Sequence, residues 1–352
     1  MSLPTSEPTS TNNVFAAWQQ LRLETPHIRA REAALQLHVS EAELVASRLG
    51  TDVIRLRPEW KVLLSELGNL GRIMALTRNE YCVHERKGPY RELAVSGNSR
   101  MGLVVSPDID LRLFLSGWAF AFAVDEVTSR GLLRSLQIFD AQGVAIHKVY
   151  LTEHSNIKAW TALKTRFKSD DQDSHLELVP LKEQPLPCAD EAVDTEALRS
   201  GWAELRDTHH FHALLQRLGI ARTQALRLAG TQWAEPLSSS ALPRVMEAAA
   251  AQQLPIMVFV GNRHCIQIHT GAITTLKWVD TWFNVLDSDF NLHIQTSGIH
   301  TLWRVRKPSV DGVITSLEAY DNNGELIMQL FGARKPGQPE LTQWTALAES
   351  AQ

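Results

Sequence analysis

The stretch RDTHHFHALLQRLGIAR, residues 206–222, places His209, His210 and His212 within four consecutive positions. The chain has 13 histidines in 352 residues, so the local density sets this stretch apart. Imidazole is the side chain that titrates near neutral pH and the commonest metal ligand. Asp207 or Thr208 is a suitable N-cap for a helix that starts at His209. Phe211, Leu214, Leu215 and Leu218 recur at i, i+3, i+4 and i+7, which gives that helix one apolar stripe. On the helical wheel His209 and His212 lie about 60° apart, off the stripe, and His210 falls on the other side. The first turn of a helix carries partial positive charge, which keeps an imidazole neutral and able to ligate. Such a histidine suits the axial position of a haem iron. A solvated helix start is the competing reading. Mononuclear zinc is disfavoured, because it needs three or four converging ligands and the chain has no HExxH and no cysteine pair.

Composition bounds what such a cluster can serve. Hydrophobic content of 44% with 21% charged residues is that of a soluble globular protein, and 352 residues imply two domains. A net charge of −4 gives no bulk attraction to nucleic acid or to an anionic membrane. No run reaches 18 apolar residues, and MSLPTSEPTSTNNVF reads as a disordered tail over 1–14 rather than a signal peptide. Cys82, Cys188 and Cys265 are odd in number and widely spaced, which argues for a reducing, cytoplasmic location.

The chain repeats itself. SLQIFDAQGVAIHKVYL from Ser135 returns as SLEAYDNNGELIMQLFG from Ser316. Each is a pair of alternating strands around an Asp-x-x-Gly turn, Asp140–Gly143 and Asp321–Gly324, suited to a type I turn closed by a left-handed glycine. Asn79–Cys82 pairs with Asn262–Cys265, Asp110–Leu113 with Asn291–Ile294, and Trp18–Arg22 with Trp202–Arg206. A period near 182 is too long for a solenoid and means two copies of one domain. Each copy opens with helices and continues with antiparallel strands, an α+β pattern with a large antiparallel sheet per copy. The first copy is expected over 15–170 and the second over 196–352. The acidic, proline-bearing segment 171–195 between them reads as a linker. At an offset of 182, His209 falls on His27.

Two further stretches carry candidate chemistry. In IDLRLFL, Ile109, Leu111, Leu113 and Leu115 face one way, and Asp110, Arg112 and Phe114 the other. Arg112 beside Phe114 suits an apolar pocket with a polar anchor; an Asp110–Arg112 surface pair explains it as well. LQLHVSEAELVASRLG, residues 35–50, has the outline of a helix–turn–helix, but Glu41 and Glu43 are poor neighbours for phosphate. The second copy has Arg222 and Arg227 in that region.

AREAALQLHVSEAELVASRLG, DIDLRLFLSGW, SLQIFDAQGVAIHKVYL, THHFHALLQRLG and SLEAYDNNGELIMQLFGARKPG together resemble the cytoplasmic haem-binding proteins of the HemS/ChuS/PhuS type, over nearly the whole chain. The triple histidine is most similar to that of the Pseudomonas member. The resemblance implies one haem b (iron protoporphyrin IX) per chain, held between the copies. His209 would be the proximal ligand, with His210 and His212 as alternates, and Arg112 the distal residue. Arg222, Lys307, Gln329 and Arg334 match the family's propionate-binding positions, and Phe259 the residue packed on the porphyrin face. Met328 departs from the tyrosine of some relatives, which puts one propionate hydrogen bond in question. The resemblance implies a haem carrier that receives its load after an inner-membrane haem transporter and delivers it to a haem oxygenase. The alternatives are a haem-degrading enzyme using Arg112 and an external electron donor, since no GxGxxG opens a helix after a strand, and a haem-free form that binds DNA.

Overall fold

The computed structural model describes residues 11–26, 28–129, 131–181 and 187–352. The first half opens with three helices, α1 (Thr11–Glu24), α2 (Ala30–Gln36) and α3 (Glu41–Ala46). It continues as β1 (Val53–Leu56), α4 (Trp60–Glu66), β2 (Gly71–Arg78), β3 (Cys82–Pro89), β4 (Leu93–Val95), β5 (Met101–Val105) and β6 (Asp110–Phe114). Three long elements, β7 (Trp118–Thr128), β8 (Gly131–Asp140) and β9 (Ala145–Ser155), precede α5 (Ile157–Phe167). The second half repeats the plan with α6 (Thr195–Ala203), α7 (His210–Leu218) and α8 (Arg222–Leu228), then β10 (Ala234–Leu237) and α9 (Ala241–Ala251). Its strands are β11 (Ile256–Asn262), β12 (Cys265–Gly271), β13 (Leu276–Val279), β14 (Trp282–Leu286), β15 (Phe290–Gln295), β16 (Thr301–Ser309), β17 (Gly312–Tyr320) and β18 (Leu326–Gly332), followed by α10 (Thr342–Glu349). The fold is α+β and tandem, as the sequence pattern implies. Residues 11–14 belong to α1 rather than to a disordered tail, and residues 1–10 lie outside the described ones.

The repeated turns follow their residue types. The Asp140 carboxylate accepts the N–H groups of Gln142 and Val144, and Asp321 accepts those of Asn323 and Glu325. Gly143 and Gly324 close the turns at φ +79° and +77°, where a side chain would be strained. The linker is partly packed: Leu176 is buried against α3, β7 and β8, and Asp171 pairs with Arg55. Residues 182–186 lie outside the described ones.

What the repeat does not reveal is an exchange of strands. One antiparallel sheet runs β1-β7-β8-β9-β2-β3-β15-β14-β13, the other β10-β16-β17-β18-β11-β12-β6-β5-β4. Each nine-stranded sheet takes six strands from one half and three from the other. The β4–β6 arm of the first half pairs through β6 with β12, and the β13–β15 arm of the second half pairs through β15 with β3. The side chains behave differently from the backbones. Leu111 and Leu113 of β6 pack in the first half's core, and Phe283, Val285, Leu292 and Ile294 of the other arm pack in the second's.

At the joint, β2 and β3 pack across β11 and β12. The Asn79 amide donates to the carbonyls of Gly261 (3.0 Å) and Ile327 (2.7 Å). Its counterpart Asn262 donates to those of Arg78 (3.0 Å) and Ile146 (2.8 Å). Gly117 and Gly298 are required beside them, because a Cβ would lie about 2.0 Å from the His264 ring and 2.1 Å from the Tyr81 ring. Replacing Asn79 or Asn262 with alanine strands two carbonyls at this joint. Each variant is expected to lose about 1–3 kcal/mol in urea unfolding, with the slope unchanged.

Candidate functional site

The strand exchange brings Arg112 and Phe114 onto the sheet face that carries Phe259 and Gln329. Ile109, Leu111, Leu113 and Leu115 are buried, and Asp110, Arg112 and Phe114 point to the opposite, open side. That face is continued across the sheet by register. Asp110 stands beside Ile268, then Phe259, Gln329, Glu318 and Trp303 on successive strands. Arg112, two residues along, stands beside Ile266. With strands about 4.8 Å apart, β6 and β18 are separated by about 14 Å. The floor between them is formed by Ile266, Ile268, Phe259, Met257 and Phe331, all but Ile268 half-buried. Arg112 forms an ion pair with Asp110, so the expected same-face pair is present at the rim.

At the other end α6–α8 cover β16 and β17. Phe211 of α7 is the contact point: its ring meets Trp202 at 4.5 Å, Lys307 Nζ at 4.9 Å and Arg222 Cζ at 5.4 Å. Beneath it Glu318 is fully buried. Its Oε1 accepts from Lys307 (2.5 Å), Gln329 (2.9 Å) and Ser316 (3.0 Å); its Oε2 accepts from Arg222 (2.8 Å) and the Tyr320 hydroxyl. Burial alone would raise the Glu318 pKa, but Arg222 and then Lys307 outweigh it and hold the carboxyl well below the usual range. Arg222, Lys307 and Gln329 are therefore already engaged by one carboxylate, and Lys307 is only 3% exposed. Sequence reading missed Glu318. The alternation Ser316, Glu318, Tyr320 puts polar groups on one strand face, but only the packing of α7 shows that this face is covered.

The histidine cluster sits at the N-terminus of α7. The helix begins at His210, with His209 as the N-cap, one residue later than expected. All three histidines are exposed. Asp207 accepts the backbone N–H of His209 at 2.8 Å and also lies 2.6 Å from its Nδ1. A carboxylate only accepts, so Nδ1 carries the proton and Nε2 keeps its lone pair for a ligand. No such partner orients His210 or His212 among the described residues. The preceding loop is tied to the β16–β17 hairpin, where the Arg206 carbonyl accepts the Val310 N–H at 3.0 Å. Asp311 in that hairpin binds Arg334 at 2.6 Å and feels the charge of Asp207, which places Arg334 on the histidine side.

Two finer expectations change. Met328 is 1% exposed and faces the second half's core, opposite Gln329, so this departure does not alter the open face. Ala33 and Ala34 are the buried residues of α2 where Leu214 and Leu215 serve α7, an offset of 181. Ile28 then corresponds to His209, and His27 lies outside the described residues. In the helix–turn–helix outline, Glu41 is buried and bound to Lys148 and Arg78. Arg222 and Arg227 of the second copy are paired with Glu318 and Asp190.

A family model described as the haemin-degrading HemS.ChuX domain matches residues 38–167 and 219–351, two segments that start 181 positions apart. The histidine cluster precedes the second segment. The hemin transport protein HemS of Yersinia enterocolitica is 40% identical over 337 residues, 95% of this chain and 96% of that protein. The structure of holo-PhuS, a haem-binding protein from Pseudomonas aeruginosa, superposes with a TM-score of 0.96 at 61% identity, covering 98% of this chain and 99% of that one. ChuS, an E. coli haem oxygenase, superposes with a TM-score of 0.87 at 35% identity, covering 96% and 99%. No helix among the described residues is long and apolar enough to cross a membrane.

Glu318→Ala leaves Lys307 buried without its carboxylate and Arg222 with only the Tyr320 hydroxyl, and is expected to cost about 3–5 kcal/mol in chemical unfolding. Because the folded-state pKa of Glu318 is depressed, its stabilisation is present above the unfolded carboxyl pKa and is lost as pH falls below it. Between pH 7 and pH 3, Glu318→Gln should therefore lose less stability than the wild type.

Proposed function

We propose a function on one premise: the chain belongs to the haemin-degrading HemS.ChuX family. It binds one haem b on the open face of the β10-containing sheet and carries it in the cytoplasm, receiving it downstream of an inner-membrane transporter and handing it to a haem oxygenase. The observation that carries this reading is the shared face: Arg112, Phe114, Phe259 and Gln329 line one sheet surface, and the helix that His209 caps covers its other end through Phe211. The residues fit the cargo. An apolar floor about 14 Å wide suits a porphyrin body. His209, with its tautomer set by Asp207, offers Nε2 to iron, and His210 and His212 are alternates within one turn. Arg334 and Gln329 stand at the rim for the propionates. Arg222 and Lys307 act from below, shared with Glu318. Exposure of all three histidines suits a carrier, which must release what it binds.

Degradation is the second reading, favoured by the position of Arg112. When bound, haem supplies the redox chemistry, and this chain's part is to hold the ring and present a guanidinium across the face from His209. Reductant would come from another protein.

Haemin titrated into the haem-free protein should give a saturable one-to-one Soret change. His209→Ala should alter the band and weaken binding, and Asp207→Ala should weaken it about 10- to 100-fold by freeing the imidazole tautomer. No saturable change in the wild type would end the haem assignment. Ring opening by holo-protein and a reductant that persists with catalase would favour the enzyme. Replacing both His210 and His212 should slow haem transfer to an oxygenase while leaving equilibrium affinity within a few-fold.

A further inference from the structure

The pseudo-twofold relation gives the first half a cleft equivalent to the proposed haem face. On the β1-containing sheet the row Asn291, Glu85, Leu76, Lys148, Gln137 repeats, strand by strand, the row Asp110, Ile268, Phe259, Gln329, Glu318. His293, beside Val83, takes the place of Arg112. Helices α1–α3 overhang this face and enclose a cavity of about 1220 Å³. The chemistry has been changed on both walls. On the helix wall the offset of 181 puts Ile28, Arg29 and Arg31 where the other cleft has His209, His210 and His212. The ligand set for a metal is gone from that wall, and two guanidiniums replace it.

Seven arginine or lysine side chains line the cavity against three carboxylates. Glu41 is taken by Lys148 and Arg78, and Glu126 by Arg22 and Arg48. Glu85 has no cation partner among the described residues and lies near His293. Arg31 pairs with Glu80 at the rim. Lys87 donates only to the Ser288 carbonyl, and the Arg29 guanidinium has no partner among the described residues. His293 gives its Nδ1 proton to the Asn284 side-chain oxygen at 2.7 Å, which leaves Nε2 without a hydrogen-bond partner among the described residues. The floor is mixed: Met74, Leu76 and Val83 form an aliphatic strip beside Tyr150, with Glu85, Gln137 and Lys148 on the same face.

We propose that this cleft is a second binding site, for a metal-free organic anion with an apolar body: the aliphatic strip of Met74, Leu76 and Val83 takes the body, and Arg29 and Lys87 take the acidic groups, with Arg31, shared with Glu80, at the rim. The haem reading enters only as the comparison between the two clefts. Arginine suits carboxylate or sulfonate through its paired donors, and an unpaired guanidinium beside an aliphatic strip attracts a ligand that joins both chemistries.

The test uses the full chain saturated with haemin, so that the open face is filled, and 8-anilinonaphthalene-1-sulfonate as the probe, followed by calorimetry. The expected result is one dye site per chain, weakened tenfold or more by Arg29→Ala with Arg31→Ala and by raised salt, with the haemin Soret titration unchanged. Leu76→Glu, a single change on the floor, should abolish the same site and guards against a fold defect in the double variant. Dye binding that neither variant alters would overturn the proposal. So would a second equivalent of haemin that is lost in these variants, because the cleft would then be a porphyrin site. If haemin fails to bind anywhere while the dye site behaves as described, the haem reading falls and this one stands.

Discussion

The fold depends on closing two sheet edges with strands from the opposite half. Without the exchanged arms, β3 and β12 would each present a row of unpaired N–H and C=O groups. The β13–β15 arm satisfies the first and the β4–β6 arm the second. Because the side chains of each arm stay in their own half's core while the backbone pairs with the other sheet, the halves are tied by hydrogen bonds and by apolar packing at once. The same exchange assembles the site. Arg112 belongs to the first half of the sequence, yet it stands on the sheet that carries Phe259 and Gln329 and whose other end is covered by the helices next to His209.

Charge is arranged differently at the two ends of that face. Where α7 covers the sheet, the cations are neutralised internally: Glu318 takes Arg222 and Lys307, and Phe211 lies over both. This cluster anchors the helix that bears the histidines. The first half solves the same problem with the signs reversed, Glu41 on the helix and Lys148 on the sheet. There too a buried carboxylate is held ionised: burial alone would raise its pKa, but Lys148 and then Arg78 bring it down to about 2. Two halves of one ancestral plan can invert a buried ion pair because the requirement is that each charge be matched, and either sign can sit on either wall.

Much of the fold was legible in the sequence. Asp140–Gly143 and Asp321–Gly324 announced two equivalent hairpins, since an Asx turn and a left-handed glycine are local chemistry. The alternation around Arg112 announced which residues face the core, because strand parity needs only neighbours in sequence. The stripe Phe211, Leu214, Leu215 was equally local, and the histidine helix missed its start by one residue because capping there depends on Asp207 binding the His209 backbone. The offset drifted between 181 and 184 along the chain, which is why His27 rather than Ile28 was matched to His209.

Local periodicity and turn chemistry in the sequence determined that this chain is a duplicated α+β protein, that the histidines share the first turn of an amphipathic helix, and that Arg112 leaves the core. Tertiary structure alone decided which strands pair across the halves, that Glu318 engages Arg222, Lys307 and Gln329, and that Met328 faces away from the open surface. The physical reason is range. Backbone parity, caps and turns are set by residues a few positions apart, whereas edge pairing and the neutralisation of a buried charge depend on groups brought together only when the sheets close.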